Sequence, residues 1–498
     1  MPILDSIAKL SKIKKSEFKA QEPELRNELV ALQQELRKAK VPVMVVFSGV
    51  ETAGKHEMVN RLTAWLDPRW VTTRAYNKPL AGEKQRPDFW RFWRDLPANG
   101  QIGLFLNAWY SEPFLSHVKH KTSQAQFIKQ LDAIEAFERT LTENGVLLLK
   151  VWMHLDKKSQ QKRLESLAAN VETEWKIKPG AWQNWGLYDR FAEASEEILN
   201  HSQKGVAPWL IVDGRDQYAR ELAVARAFCD AIKKRLKTPP SNVALSMDQW
   251  NKKMKPTRGT LGRLKLGRSL KRSKYRSERK ELRRRLVRLQ RQAQAVGIST
   301  VLVFEGPDAA GKGGAIRRLV QGFDAREYQV IPIGAPNDEE LAHHYLWRFW
   351  RHLPMGGRVT IFDRSWYGRV LVERVEGFAS SAEWQRAFKE INEFETQLLN
   401  HNTVLCKFWI QIDEDEQLRR FKERQQIPYK NWKITDEDWR NRERWDEYED
   451  AAEDMVAFTQ TPEAPWVLVE GNDKKYARVK VMRTVCQQLE AALEERGV

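Results

Sequence analysis

The chain predicts an α/β fold, a parallel and doubly wound sheet present twice in tandem. Three observations carry that reading. Short apolar runs alternate with amphipathic stretches. A glycine-rich turn stands directly between one such run and a helix. The whole arrangement recurs at a fixed offset of 257 residues. Uninterrupted apolar runs suit strands covered on both faces, and strands alternating with helices build parallel sheets.

In the first half the apolar runs are Val43–Phe47, Ile102–Phe105, Val146–Leu155 and Trp209–Val212. In the second half, Leu282, Leu286 and Leu289 mark one face of a helix over Glu281–Ala295. The strand Thr300–Phe304 follows, then a glycine turn and a helix over Ala315–Gln321. Further strands are expected at Gln329–Ile333, Val359–Phe362, Val404–Ile412 and Trp466–Val469.

The offset links Gly49, Gly54 and Lys55 to Gly306, Gly311 and Lys312, and the run Trp90–Arg94 to Trp347–Arg351. Trp109, Trp152, Trp175, Trp182, Trp209 and Cys229 recur as Trp366, Trp409, Trp432, Trp439, Trp466 and Cys486. A period this long is no solenoid unit, which runs about 20–50 residues, but two fused domains. We expect residues 1–240 as a first copy, 241–275 as a basic linker opened by Pro239-Pro240, and 276–498 as a second copy. Cys229 and Cys486 read as core thiols.

Composition excludes several classes. The 498 residues are 42% hydrophobic, enough for real cores, with no membrane-length apolar stretch. The opening residues carry charges every few positions and lack the apolar core of a signal peptide. Three cysteines cannot form a disulfide framework, so a reducing cytoplasm is expected. Secreted, membrane and fibrous proteins are thereby excluded. The net charge is +17. Between Lys252 and Arg291 eighteen Lys and Arg face only Glu278 and Glu281, which concentrates nearly the whole excess in one segment and implies a polyanionic partner.

The strongest motif is Gly306-Pro-Asp308-Ala-Ala310-Gly311-Lys312-Gly313-Gly314, set between strand and helix. There the backbone N–H groups of a turn and a helix N-terminus cradle phosphate and a lysine neutralises it. Gly313 stands where a P-loop enzyme has the Ser or Thr that binds Mg²⁺, so a metal's carboxylate must come from elsewhere. Asp308 in the loop and Asp363 at a strand's carboxyl end are the candidates. Arg364 and Arg369 flank Asp363 and offer planar forks to phosphoryl oxygens. Arg420 and Arg424 are i, i+4 neighbours and, with Lys430 and Lys433, suit a basic lid. At the same offset the first copy has Glu51, His56, Leu106, Asn107, Ala108, Glu112, Leu167 and Thr173 in place of Asp308, Gly313, Asp363, Arg364, Ser365, Arg369, Arg424 and Lys430. A leucine cannot bind metal, so the first copy reads as catalytically silent.

The loop Gly306–Gly313, the run Asp363-Arg-Ser-Trp-Tyr-Gly-Arg369, Val372-Glu-Arg-Val375 and Gly377-Phe378 together resemble the second polyphosphate kinase family, whose motifs are GxDAAGKG, DRSWYNR and VExVxGF. The two-copy layout is similar to its subgroup that transfers phosphate from polyphosphate to AMP and carries an inactive amino-terminal copy. The resemblance implies a thymidylate-kinase-like P-loop fold with a helical lid, and Mg²⁺ (or Mn²⁺) as cofactor. It implies Asp308 and Asp363 as essential carboxylates and metal ligands. Lys312, Arg364, Arg369, Arg420 and Arg424 would clamp phosphates, with Glu373 in support. Gly368 departs from the family's Asn. The expected partners are polyphosphate and AMP or ADP, with no membrane, no nucleic acid and a homo-oligomer open. The alternatives are an ATP-dependent nucleoside monophosphate kinase, an ADP-phosphorylating polyphosphate kinase, and a nucleic-acid-binding protein with a vestigial loop. The basic segment is expected to extend the polyphosphate channel.

Overall fold

The computed structural model describes residues 3–4, 7, 10–177, 180–203, 205–238, 259–428 and 434–497. Lys430, Lys433, most of the expected linker and Lys252–Arg258 of the basic segment lie outside the described residues. The chain divides into two compact units: Met1–Pro79, Phe92–Asn242 and Leu341–His344 form one, and Leu80–Arg91, Val243–Glu340 and Tyr345–Val498 the other.

In the first unit the strands are β1 (Val43–Gly49), β2 (Val71–Ala75), β3 (Ile102–Leu106), β4 (Leu147–His154) and β5 (Trp209–Asp213), all parallel in the order β2-β3-β1-β4-β5. Its principal helices are α1 (Lys15–Lys38), α2 (Lys55–Trp65), α3 (Gln124–Glu143) and α4 (Gln217–Lys237). The second unit repeats this plan. Its strands are β6 (Ser299–Glu305), β7 (Tyr328–Pro332), β8 (Val359–Asp363), β9 (Thr403–Gln411) and β10 (Trp466–Glu470), in the order β7-β8-β6-β9-β10. Its principal helices are α5 (Arg272–Ala295), α6 (Lys312–Leu319), α7 (Ser381–Leu399), α8 (Glu414–Gln425), α9 (Asp436–Glu443), α10 (Trp445–Thr459) and α11 (Lys474–Glu494). This is the P-loop kinase architecture, built twice.

Every strand expected from the apolar runs is present. The strand β2 has no counterpart among those runs, because its Val-Thr-Thr-Arg-Ala edge is half-buried to exposed and carries no apolar stretch. The helix after the glycine turn starts at Lys312 and tightens into a 3-10 turn at Val320–Gly322.

In the second unit alternate β6 residues face opposite ways, as the period of two requires. Leu302 and Phe304 pack with Leu286 of α5, Leu319 of α6 and Met482 of α11 in one apolar cluster. On the opposite face the packing turns on one buried ion pair. Lys407 Nζ of β9 donates to Glu395 Oε2 of α7 at 2.8 Å and to the Thr459 carbonyl of α10 at 2.7 Å. Glu395 Oε1 also accepts from Trp366 Nε1 at 3.1 Å and Tyr367 OH at 2.6 Å. The first unit repeats the device: Lys150 donates to Glu138 at 2.8 Å and Trp109 Nε1 donates to the same carboxylate at 3.0 Å. Burial pushes both lysines below their ordinary pKa, and their carboxylate partners oppose it.

Removing one member of a buried pair strands the other charge, at a cost of about 3–5 kcal/mol. Lys407→Met should therefore destabilise the second unit, and Lys150→Met the first, by that amount in urea unfolding. A loss under about 1 kcal/mol would show that the pair does not organise this face.

Candidate phosphate-binding site

The site stands at the carboxyl edge of the second sheet. β6 ends at Glu305, and the chain must turn at once into α6. Gly306 makes this possible at φ +140°, with its Cα so near β9 that an added Cβ would lie 2.4 Å from the Ile410 carbonyl oxygen. Ala309 (φ +62°) and Gly311 (φ +112°) complete the left-handed turn, and Gly311 caps α6. Lys312 folds its ammonium back onto the loop, donating to the carbonyls of Gly306 at 2.5 Å and Pro307 at 3.2 Å. Burial and the neighbouring Arg364 lower its pKa, against Asp308, Asp363 and Glu305.

Asp363 is the last residue of β8, paired in register with Phe304. Its carboxylate has no hydrogen-bond partner among the described residues, and its Oδ2 lies 3.7 Å from where a Cβ at Gly313 would start. Arg364 follows at φ +65°. A left-handed arginine is costly, and its neighbours on both sides hold it. Its N–H donates to the Phe304 carbonyl at 3.0 Å. The next residue, Ser365, donates its hydroxyl to Glu305 Oε1 at 2.8 Å and accepts the Tyr367 N–H at 3.4 Å. Beyond it Trp366 and Tyr367 are tied to Glu395. The Arg364 guanidinium therefore reaches Asp308 Oδ1 at 2.6 Å. Asp308 Oδ2 accepts from Asn441 of α9 at 3.0 Å, and the Asp308 carbonyl from Gln417 of α8 at 3.1 Å. Burial alone would raise the Asp308 pKa. Arg364, Lys312 and Asn441 outweigh it and hold the carboxyl below its ordinary value.

Helical spacing in the sequence places Arg420 and Arg424 together on a phosphate-facing lid. The structure places the two apart. Arg420 is almost wholly buried behind the loop, donating to the carbonyls of Ala309 (2.9 Å), Ala310 (2.8 Å), Gly471 (2.7 Å) and Asn472 (3.0 Å) and to Glu416 at 2.5 Å. Its N–H groups are spent on the protein, so it braces the loop. Arg424 is half-exposed and has no side-chain partner among the described residues. Arg369 is turned toward Glu373, with Nη1 at 3.0 Å from Oε2, and its guanidinium stacks 4.6 Å from the Tyr345 ring centre. Burial raises the Glu373 pKa against the pull of Arg369. Gly314 lies beside Arg478 of α11. Both Asp308 oxygens accept hydrogen bonds, from Arg364 and Asn441, while Asp363 keeps an open carboxylate.

Several site residues escape the sequence reading. Glu305 and Ser365 are both buried, and the first copy has Ser48 and Ala108 there, a paired loss readable from the repeat. Gln417 and Asn441 give no such signal, because Gln160 and Asn184 stand in the first copy and clamp Glu51 in the same way, at 3.2 and 3.3 Å. The loop opens on a cleft of about 100 Å³, walled by Leu371, Val372, Trp409, Trp445 and Tyr448 with Glu449 beside them. Burial pushes the Tyr448 hydroxyl beyond its ordinary range, and burial likewise raises Glu449. One side of the cleft is thus cationic and phosphate-ready, and the other is apolar and aromatic.

The sequence profile of the family described as polyphosphate kinase 2 matches residues 12–240 and again 269–497. A polyphosphate:AMP phosphotransferase of Pseudomonas aeruginosa is 45% identical over 479 residues, 95% of each chain. One from Acinetobacter johnsonii is 40% identical over 453 residues, 90% of this chain and 91% of that one. A crystal structure from Pseudomonas aeruginosa assigned to polyphosphate kinase 2 superposes with a TM-score of 0.86 at 43% identity, covering 98% of both chains.

If Arg420 is a brace, Arg420→Lys loses several hydrogen bonds at once and should cost about 2–3 kcal/mol of stability. Arg424→Gln should stay within about 0.5 kcal/mol. Denaturant titration of both variants decides the matter, and equal small effects would return Arg420 to a ligand-facing role.

Proposed function

The chain belongs to the polyphosphate kinase 2 family, and on that premise we propose a Mg²⁺-dependent phosphotransferase that moves the terminal phosphoryl group of inorganic polyphosphate to AMP, giving ADP. The observation that carries this reading is the two-sided cleft: the P-loop turn Gly306–Asp308 with Arg364 held on Asp308 on one wall, aromatic and aliphatic side chains on the other. Residues 276–498 are the catalytic domain and residues 1–240 the silent one. The protein would act in the cytoplasm; no helix of the described residues is long and apolar enough to cross a membrane, and the three free cysteines are buried.

Both substrates are anions, so the barrier lies in bringing them together and stabilising charge as the phosphoryl group moves. An oxygen of the AMP phosphate forms a bond to the terminal phosphorus of the chain. The anhydride bond behind that phosphorus breaks, and the shortened chain leaves with a new terminal phosphate. The attacking oxygen is already anionic and needs no general base. The backbone N–H groups of Asp308–Gly313 and the Lys312 ammonium hold the donor end. Arg364, oriented by Asp308 and Asn441, faces the same phosphoryl oxygens. The cleft of Leu371, Val372, Trp409, Trp445 and Tyr448 takes the nucleoside and excludes water.

The open carboxylate of Asp363 fits a hard divalent cation. Among the described residues no group of three or more His, Cys, Asp or Glu forms a protein cage, which suits an ion that completes its shell with phosphate oxygens and water. Asp363 would hold Mg²⁺, or Mn²⁺ by the same donor set. When bound it neutralises charge on the transferring group.

The test is purified protein with AMP, Mg²⁺ and polyphosphate, without ATP, and ADP read by chromatography. Rapid ADP formation that needs polyphosphate is expected, and Asp363→Asn should lower kcat by about 10³ or more. Glu51→Ala should leave it unchanged. ADP only on adding ATP would overturn the donor assignment, and a large loss from Glu51→Ala would overturn the silent role of the first domain.

A further inference from the structure

A site that passes a phosphoryl group to AMP must also keep water from taking it. We propose that Glu376 is the positioning residue that does so, by latching one wall of the cleft to helix α9 on the other side. This inference rests on the phosphotransferase reading above and adds what holds the site shut.

Glu376 ends the short helical turn Val372–Val375, and Gly377 at φ +74° reverses the chain directly behind it. Leu371 and Val372 make this segment one wall of the cleft. Its base is pinned to α10, where Arg374 Nη1 donates to Asp454 Oδ2 at 2.9 Å. Its tip faces the opposite wall. Glu376 Oε2 lies 3.4 Å from Arg440 Nε of α9. Glu376 Oε1 accepts from Arg444 Nη1 at 3.3 Å and from Tyr448 OH at 3.4 Å. The Tyr448 hydroxyl also lies 3.2 Å from Asn441 Oδ1, and the Asn441 amide donates to Asp308. One carboxylate thus joins the wall to α9 and, through Tyr448 and Asn441, to the Asp308–Arg364 pair. On its other side α9 rests on α8: Arg442 donates to the Glu414 carbonyl at 2.7 Å, and Trp439 meets Phe421 edge-on at 5.2 Å.

At about 100 Å³ the cleft is smaller than the roughly 300 Å³ or more in which a small molecule is usually held. Its walls must part to admit AMP and meet again before transfer, which closes the reacting phosphorus to water. Long, partly solvated ion pairs hold loosely, and that suits contacts made and broken at each turnover. The first unit lacks the latch. At the offset of 257 residues Glu376, Arg440, Arg444 and Tyr448 become Lys119, Gln183, Leu187 and Phe191. Asn184 keeps the place of Asn441 and still donates to Glu51. The contact with the loop is therefore common to both domains. The tie across the cleft mouth occurs only beside Asp363 and Arg364.

The test is Glu376→Gln, assayed with AMP, Mg²⁺ and polyphosphate. KM for AMP should rise about tenfold, and KM for polyphosphate should stay unchanged. Free phosphate should now appear, at about one-tenth of the ADP formed or more. In that leak a water oxygen bonds to the terminal phosphorus, the same anhydride bond breaks, and the proton of the water passes to solvent. Arg440→Gln/Arg444→Gln should match Glu376→Gln, and the triple variant should lose no more than either, because all act through one tie. An unchanged AMP KM without free phosphate overturns the latch. An equal rise in the polyphosphate KM also overturns it, by showing that the P-loop itself was disturbed. A polyphosphate KM that rises in the arginine variant alone would overturn it too, and would assign those arginines to the donor. Absence of polyphosphate-dependent ADP formation in the unaltered protein would instead overturn the phosphotransferase reading. Hydrogen exchange of the α9 amides, read without substrate, then tests the latch separately. Faster exchange is expected in Glu376→Gln, and equal exchange overturns the latch.

Discussion

Lys312 and Arg364 converge on the same few ångströms of space, and the second domain is arranged around making that tolerable. Two cations placed together for an incoming polyanion repel each other until it arrives, and partial burial weakens the help of water. Asp308, Asp363 and Glu305 surround them, and their charges oppose the lowering of the Lys312 pKa by burial and Arg364. Asp308 is the pivot. It binds Arg364 at 2.6 Å, takes Asn441 from the lid side, and lends its carbonyl to Gln417. The same carboxylate thus sets the arginine, the loop and the helices that flank the cleft. Charge preorganised in this way needs no rearrangement when the phosphoryl group moves.

The tandem repeat separates what both domains share from what only the second carries. The buried Lys–Glu pair, the bent loop with its folded-back lysine, and the Gln and Asn clamps are present in both domains. Left-handed backbone recurs at matched positions, as in Thr52 and Ala309 or Asn107 and Arg364. At the last pair the first domain has an asparagine, which adopts that conformation at little cost, while the second keeps a strained arginine. Behind the loop the two domains also differ. Arg420 braces the second, whereas in the first Arg220 of α4 takes the place against Gly54 and Arg163 turns outward to Glu57 at 3.5 Å. A buried guanidinium under the loop is therefore a requirement of the fold, met from different helices.

The sheets are legible in the sequence because their central strands are continuous apolar runs. The polar edge strand β2 is not, since edge strands need no apolar face. The P-loop, Asp363 and Arg364 are legible because glycine spacing and a strand-end carboxylate have local signatures. The role of Arg420 is not: helical spacing puts it beside Arg424, but only tertiary packing decides which of the two points into the loop's carbonyls. Glu305 reads as an ordinary strand residue until its partner Ser365, sixty positions on, is seen beside it.

The central claim is that the phosphoryl group passes directly from a polyphosphate chain end to the phosphate of AMP in the second domain. ³¹P NMR of a reaction with AMP and polyphosphate, without ATP, follows donor and acceptor at once. The account predicts that the β-phosphorus of ADP grows in step with the loss of chain phosphate, with no free phosphate appearing and no signal change in Asp363→Asn. Release of free phosphate without ADP, or ADP formation that persists in Asp363→Asn, would contradict it.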